Sequence, residues 1–231
     1  MRINKFISET GYCSRREADK LVEGGRVTIN GKLAELGSQA ELGDDVRING
    51  KRVGEQKEHV YIALNKPVGI TSTTESHIRG NIVDYIGHEE RIFPIGRLDK
   101  DSEGLILLTN DGDIVNRILR AEGRHEKEYV VTVNRPITQP FLKGMSEGVR
   151  ILGSMTLPCK ITKEGDRVFR IILTEGKNRQ IRRMCTAFGF QVVKLRRVRI
   201  MNIHLGDLRI GKWRDLTKGE MSELFATLEG H

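Results

Sequence analysis

The stretch Gly96-Arg97-Leu98-Asp99-Lys100-Asp101-Ser102-Glu103-Gly104-Leu105-Ile106-Leu107-Leu108-Thr109-Asn110 joins a charged loop to an unbroken apolar run. The run Leu105 to Thr109 has the length and bulk of a buried strand. Loops at strand ends, held by a rigid scaffold, are where chemistry is usually placed. Asp99 stands between Arg97 and Lys100, and positive charge beside a carboxylate favours its ionised form. Such a group can attack as a nucleophile or stabilise a developing cation. An aspartate in a charged loop is more often a solvated turn residue, so the rest of the chain must decide.

On the C-terminal side, strands and helices alternate. Asp111-Gly112 reads as a turn. Ile114, Val115, Ile118 and Leu119 then mark an amphipathic helix. Tyr129 to Val133 and Val168 to Leu173 read as strands. Ile181, Met184, Cys185 and Phe188 fall at i, i+3, i+4 and i+7, a helix face turned to a core that ends at Gly189. If that helix begins near Asn178, then Arg179, Arg182 and Arg183 lie about 160°, 100° and 200° from Ile181, away from the buried stripe and near an anion-favouring helix N-terminus. Thr217-Lys218-Gly219-Glu220 is a capping box opening a last helix, with Met221, Leu224, Phe225 and Leu228 inward.

On the N-terminal side, Val60 to Leu64 starts a buried strand and Asn65-Lys66-Pro67-Val68-Gly69 a turn. Before it, Gly54 to His59 is polar with no apolar period, a linker composition. The first fifty or so residues form a separate module. Ile3, Phe6 and Ile7 have helical spacing. Ser14-Arg15-Arg16-Glu17 is a second capping box, with Ala18, Leu21 and Val22 on one face and Gly24-Gly25 as the stop. Two short alternating runs follow, each closed by an Asn-Gly hairpin signal at Asn30-Gly31 and Asn49-Gly50. Arg15, Arg16 and Lys20 lie near one side of the second helix and are candidate phosphate contacts. Exposed basic residues on a helix are also ordinary.

The chain has 231 residues, is 38% hydrophobic and carries a net charge of +8. The segment from Lys177 to Arg214 holds eleven cations against one acid, +10 in 38 residues. Such a block suggests a polyanionic partner, because the cations would repel one another without a negative group. No apolar run approaches the roughly 18 residues of a membrane span, and no apolar leader follows Met1. Cys13, Cys159 and Cys185 are widely spaced, and the six histidines form no metal pair, so reduced thiols and no metal are expected. There is no Walker A loop and no dinucleotide fingerprint. A cytoplasmic, monomeric protein without cofactor is the expectation.

Gly96-Arg97-Leu98-Asp99 with its Gly-Leu-apolar-apolar-Leu-Thr continuation resembles the catalytic motif of RNA pseudouridine synthases. Ser-Arg-Arg-Glu-Ala and Gly-x-Val-x-Ile-Asn-Gly resemble the S4 RNA-binding domain. With Leu64 to Gly69, Asn81 to Asp84 and His125 to Tyr129, the likeness covers nearly the whole chain and is to the RsuA family of bacterial ribosomal RNA pseudouridine synthases. It implies an α+β protein: an S4 domain at 1–53, a linker at 54–59, and a catalytic domain at 60–231 with a mixed, mainly antiparallel sheet flanked by helices. It implies Asp99 as the catalytic carboxylate, Tyr129 of the Lys-x-Tyr phrase as the ring beside it, Arg182 of Gln-Ile-Arg as the basic residue paired with it, and Leu195 packed on the target base. Arg97, Lys177, Arg179, Arg183, Arg196 and Arg199 are further candidate RNA contacts. The implied partner is large-subunit (23S) ribosomal RNA. Small-subunit rRNA, a tRNA anticodon stem-loop and a non-catalytic S4-type assembly factor are the alternatives.

Overall fold

The computed structural model describes residues 1–120 and 124–230. His231, the last of the six histidines, lies outside them. Contacts divide the chain into two units, Met1–Val60 with Glu89–Arg91, and Tyr61–His88 with Ile92–His231.

In the first unit α1 (Ile3–Glu9) and α2 (Arg15–Glu23) precede β1 (Val27–Ile29), β2 (Lys32–Leu33), β3 (Val46–Ile48) and β4 (Lys51–Arg52). The strands form an antiparallel sheet in the order β2-β1-β3-β4. The capping box of α2 is formed as its sequence predicts: Glu17 N–H donates to Ser14 Oγ at 3.2 Å, and Ser14 N–H donates to Glu17 Oε2 at 2.8 Å. Both Asn-Gly turns place two successive residues at positive φ, Asn30 (50°) with Gly31 (80°) and Asn49 (51°) with Gly50 (77°). That pattern matches the twist of a two-residue hairpin. Ile3, Phe6 and Ile7 of α1 pack with Ala18 and Val22 of α2 and with Val27, Val46 and Ile48 of the sheet.

The second unit opens with β5 (Tyr61–Lys66), α3 (Ile82–Ile86), β6 (Phe93–Pro94), β7 (Glu103–Thr109) and α4 (Gly112–Leu119). There follow β8 (Lys127–Val133), α5 (Gln139–Glu147), the hairpin β9 (Arg150–Ile151) and β10 (Ser154–Met155), β11 (Lys160–Lys163) and β12 (Val168–Leu173). The chain then forms α6 (Gln180–Ala187), β13 (Val192–Ile200), β14 (Ile203–His204), β15 (Trp213–Asp215) and α7 (Lys218–Glu229). The main sheet runs β11-β12-β8-β13-β7-β5-β15, with β14 on β13 and β6 on β7. Every neighbouring pair is antiparallel except β13 with β7. The expected α+β architecture with a mixed, mainly antiparallel sheet is present.

Position in the sheet explains composition. All seven residues of central β7 are buried, so it reads as a continuous apolar run. In β12 Phe169, Ile171 and Leu173 are buried and alternate with half-buried neighbours. Ile114 and Ile118 of α4 and Leu224 and Leu228 of α7 pack with Ala63, Leu105 and Leu107 of the sheet. Phe141 of α5 sits against Phe169 and Phe190.

Some boundaries differ from the sequence reading. Asp111-Gly112 is no turn: Asp111 caps α4, accepting from the backbone N–H of Asp113 at 2.9 Å. Aspartate is a strong N-cap, and the following Gly enters the helix directly. The strand β5 runs on through Asn65 and Lys66, both fully buried. The helix α6 begins at Gln180 rather than near Asn178, and Arg179 is its left-handed N-cap residue (φ 50°).

Candidate active site

Asp99 lies in the loop that leaves β6 and enters β7. Each peptide group around it is tied to a neighbour. Ser72 Oγ donates to the Leu98 carbonyl (2.8 Å) and accepts from the Leu98 N–H (3.2 Å). The Asp99 carbonyl accepts from Ser102 N–H at 3.0 Å, and the Lys100 carbonyl from Gly69 N–H at 2.7 Å. Arg197 reaches from β13 to the Leu105 carbonyl (Nε, 2.7 Å) and, more distantly, to that of Arg97 (3.4 Å). Lys66 Nζ donates to the carbonyls of Pro67 and Ile70. A loop held this way presents its side chains in a fixed geometry.

The parallel pairing of β13 on β7 requires Gly104 (φ +108°), where a Cβ would come within 2.2 Å of the Arg197 carbonyl oxygen. That is far inside van der Waals contact, so the glycine sets the approach of the two strands that carry the site.

A cleft of about 400 Å³ opens beside Asp99, within the roughly 300–1,000 Å³ common for small-molecule sites. Of the residues singled out from sequence, Asp99, Tyr129, Arg182, Leu195, Arg97, Arg179 and Lys177 line it. Tyr129 stands on β8 opposite Arg197 of β13. Leu195, on β13, is 6% exposed and forms part of the apolar wall. Asp99 and Arg179 also line a shallower depression with Val68, Gly69, Lys100 and Asp101.

The structure corrects the expected ion pair. The cation beside Asp99 is Arg179, at 3.4 Å. Arg182 instead donates to the Asp101 carbonyl (2.9 Å) and to Ser102 Oγ (3.0 Å), with the Asp101 carboxylate at 3.5 Å. Arg179 holds Asp101 in a bidentate pair at 3.0 and 2.8 Å. That pair, with Arg182 in support, keeps the Asp101 carboxyl below its usual range. Burial brings the Lys66 ammonium down to about 8, against the pull of Asp101, Asp99 and Glu103. Burial also lowers Lys127, which lines the cleft next to Arg197.

The basic block is only partly bare. Five of its eleven cations meet acids outside the segment: Arg179 and Arg182 meet Asp101 (2.8 and 3.5 Å), Lys194 meets Glu103 (3.0 Å), Arg214 meets Glu220 (2.7 Å), and Arg199 meets Glu128 (2.6 Å) and Glu126 (2.9 Å). Mutual repulsion therefore does not by itself demand a bound polyanion. Arg199 also donates to the Met201 carbonyl and is a sheet cross-link rather than an exposed phosphate contact. Arg183 is exposed and folds back on Asn178. Arg196 is half-buried on β13 and, like Arg183 and Arg199, does not line the cleft. Arg15, Arg16 and Lys20 all stand on α2 of the first unit.

Sequence reasoning missed Ser72, Lys66, Asp101 and Arg197. Of these only Lys66 carried a signal, a lysine directly continuing an apolar strand. Among the described residues no three His, Cys, Asp or Glu side chains cluster as a metal site would need. Burial pushes the Cys185 thiol up to about 12 and that of Cys159 to about 11, which disfavours the thiolate in both.

The family described as RNA pseudouridylate synthase matches residues 60–187, and the S4 domain matches residues 1–46. The dual-specificity RNA pseudouridine synthase RluF of Salmonella typhi is 59% identical over 99% of this chain and 80% of its own length. That of Escherichia coli K12 is 58% identical over the same shares. The ribosomal large subunit pseudouridine synthase B of Bacillus subtilis is 36% identical over 97% of this chain and 96% of its own. A crystal structure of a pseudouridylate synthase superposes with a TM-score of 0.70 at 30% identity, covering 97% of this chain and 99% of that one.

Proposed function

Because the chain belongs to the RNA pseudouridylate synthase family and is an RNA pseudouridine synthase with an S4 domain, we propose that it isomerises a specific uridine in 23S ribosomal RNA, with Asp99 as the catalytic carboxylate. The reaction breaks the C1′–N1 bond and forms C1′–C5. A proton leaves C5 and one is gained at N1, so the formula is unchanged and no external group is consumed. The observation that carries the assignment is the loop around Asp99, tied at successive peptide groups and facing a cleft shared with Tyr129 and Leu195.

In this reading the target uridine leaves its stack, at a cost of a few kcal/mol. Tyr129 offers a ring face to it and Leu195 an apolar wall. Asp99 attacks the nucleoside, or takes a ribose proton, once the base is seated. Arg97, Lys177, Arg179 and Arg182 hold the flanking phosphates and the loop. Arg183 and Arg196 extend the basic surface beyond the cleft. The module at 1–53, joined through 54–59 to the catalytic domain at 60–231, positions the RNA through Arg15, Arg16 and Lys20. The enzyme works as a monomer in the cytoplasm; among the described residues no helix is long and apolar enough to cross a membrane.

The dual specificity named for relatives 58–59% identical favours a second RNA substrate, for which a tRNA anticodon stem-loop is the candidate. Incubating the full chain separately with large-subunit rRNA, small-subunit rRNA and such a stem-loop, followed by chemical mapping of pseudouridine, tests both. Modification of the first and third is expected. Modification confined to small-subunit rRNA would overturn the substrate assignment.

A further inference from the structure

The end of the main sheet that carries the Asp99 loop continues beyond the cleft. Lys66, at the end of β5, pairs with Gly104 at the start of β7, and Leu64 pairs with Trp213 at the start of the edge strand β15. The turn 209–212 that enters β15 therefore stands at the same end of the sheet as Asp99, two strands across. That is about 10 Å, roughly three nucleotides of a stacked strand. Between them, Val68 and Gly69 line the shallow depression shared by Asp99 and Arg179.

The turn is held firmly. Buried Asn65 donates from Nδ2 to the Leu208 carbonyl (2.7 Å) and from its N–H to the Lys212 carbonyl (3.0 Å), and its own carbonyl accepts from Gly211 N–H (2.8 Å). Tyr85 of α3 donates from Oη to the Gly211 carbonyl at 3.2 Å. Two kinds of side chain are exposed here. Trp213 and Tyr85 are 39% and 41% exposed, and the His88 ring stands edge-on to the indole at 5.7 Å. Arg209 and Lys212 are exposed, and among the described residues neither forms an ion pair. Asp207 is the single acid between Lys177 and Arg214.

Aromatic faces beside unmatched cations suit unpaired nucleotides, whose bases stack while their phosphates meet the charges. A protein-binding patch is instead depleted of lysine at its centre. We propose that the β15 end of the sheet is an RNA contact outside the cleft: unpaired bases beside the target stack on Trp213 and Tyr85, and Arg209 and Lys212 take their phosphates. The proposal takes from the functional reading only that RNA enters the Asp99 cleft.

Trp213 is the chain's single tryptophan, so its fluorescence reports on this patch alone. The test titrates the full-length protein with a short single-stranded, uridine-containing RNA and with a large-subunit rRNA fragment. Binding is followed independently by the anisotropy of end-labelled RNA. Tryptophan emission should fall as either RNA saturates the protein. Trp213→Ser should weaken binding by about fivefold or more, the low end for loss of one stacked base, and Trp213→Phe should retain most of the affinity. Arg209→Gln with Lys212→Gln, both on the exposed turn, should flatten the salt dependence by roughly 0.7 in log–log slope per phosphate. If Trp213→Ser does not fold by circular dichroism, this double variant carries the comparison. Unchanged emission at saturation, or wild-type affinity and salt slope in the double variant, would overturn the proposal. So would a dimer in light scattering that Trp213→Ser dissociates, since the edge strand would then serve a second copy of the chain. Pseudouridine mapping of the same fragment separates the claims. Quenching without modification would sink the large-subunit assignment alone, and modification without quenching would sink only the β15 contact.

Discussion

The place of Asp99, in a charged loop directly before a buried strand, was legible in the sequence because that signal is local; its role was implied only by the family motif. The loop's support was not legible. Ser72 and Gly69 lie about thirty residues upstream, and Arg197 nearly a hundred downstream, so only the folded chain brings them to the loop. The pairing of Arg182 with Asp99 failed for a related reason. Helical phase says which way an arginine points but not which of two nearby carboxylates it meets. Gly104 is the residue where backbone and site are most tightly coupled. Gly104→Ala adds a Cβ 2.2 Å from the Arg197 carbonyl at a φ of +108°. Overpacking against backbone together with a disfavoured φ should cost about 2–4 kcal/mol. Urea denaturation should show this as a lower midpoint. Activity should fall too, since the Asp99 loop enters β7 and β13 carries Leu195. An unchanged midpoint would contradict the close-approach account.

Elements were legible where they carry their own punctuation. Both capping boxes and both Asn-Gly hairpins form as the sequence predicts, and the α6 stripe buries Ile181, Met184 and Cys185. Its fourth member, Phe188, has become the C-cap and is 37% exposed. What sequence could not show is the cross-strand pairing of charge. Arg199 meets Glu128 only because β13 lies beside β8 in that register. The opening of α7 offers a test. Glu220 accepts from Arg214 and from Thr217 N–H, and Arg214 above all brings its carboxyl down to about 2. A carboxylate with a lowered folded value stabilises the protein above its ordinary value of about 4.5 and loses that contribution as the pH falls toward 2. After allowance for partial exposure, Glu220→Gln should cost about 1–2 kcal/mol at pH 7. The gap from wild type should narrow between pH 4.5 and 3. A gap that stays constant over that range would rule the ion pair out as its source.

For the molecule as a whole, the α+β class was what the family resemblance implied, while the break between the two modules was legible where hydrophobic periodicity stops and restarts. The charge distribution needed more care. A block of +10 reads as a bare polyanion-binding surface, yet acids from β7, β8 and α7 pair with three of its eleven cations in the fold. RNA affinity is therefore expected to draw on cations in both units, including those of α2. Replacing Arg15, Arg16 and Lys20 together by Gln should weaken RNA binding and flatten its salt dependence, by roughly 0.7 in log–log slope for each single-strand phosphate no longer neutralised. An unchanged slope would remove α2 from the interface. The most direct measurement is pseudouridine mapping of large-subunit rRNA treated with the wild-type enzyme and with Asp99→Asn. The carboxamide preserves shape and removes the charge, so RNA binding should persist while the modified position disappears. Pseudouridine formed by the Asn variant at the wild-type rate would contradict the assignment of Asp99 as the catalytic carboxylate.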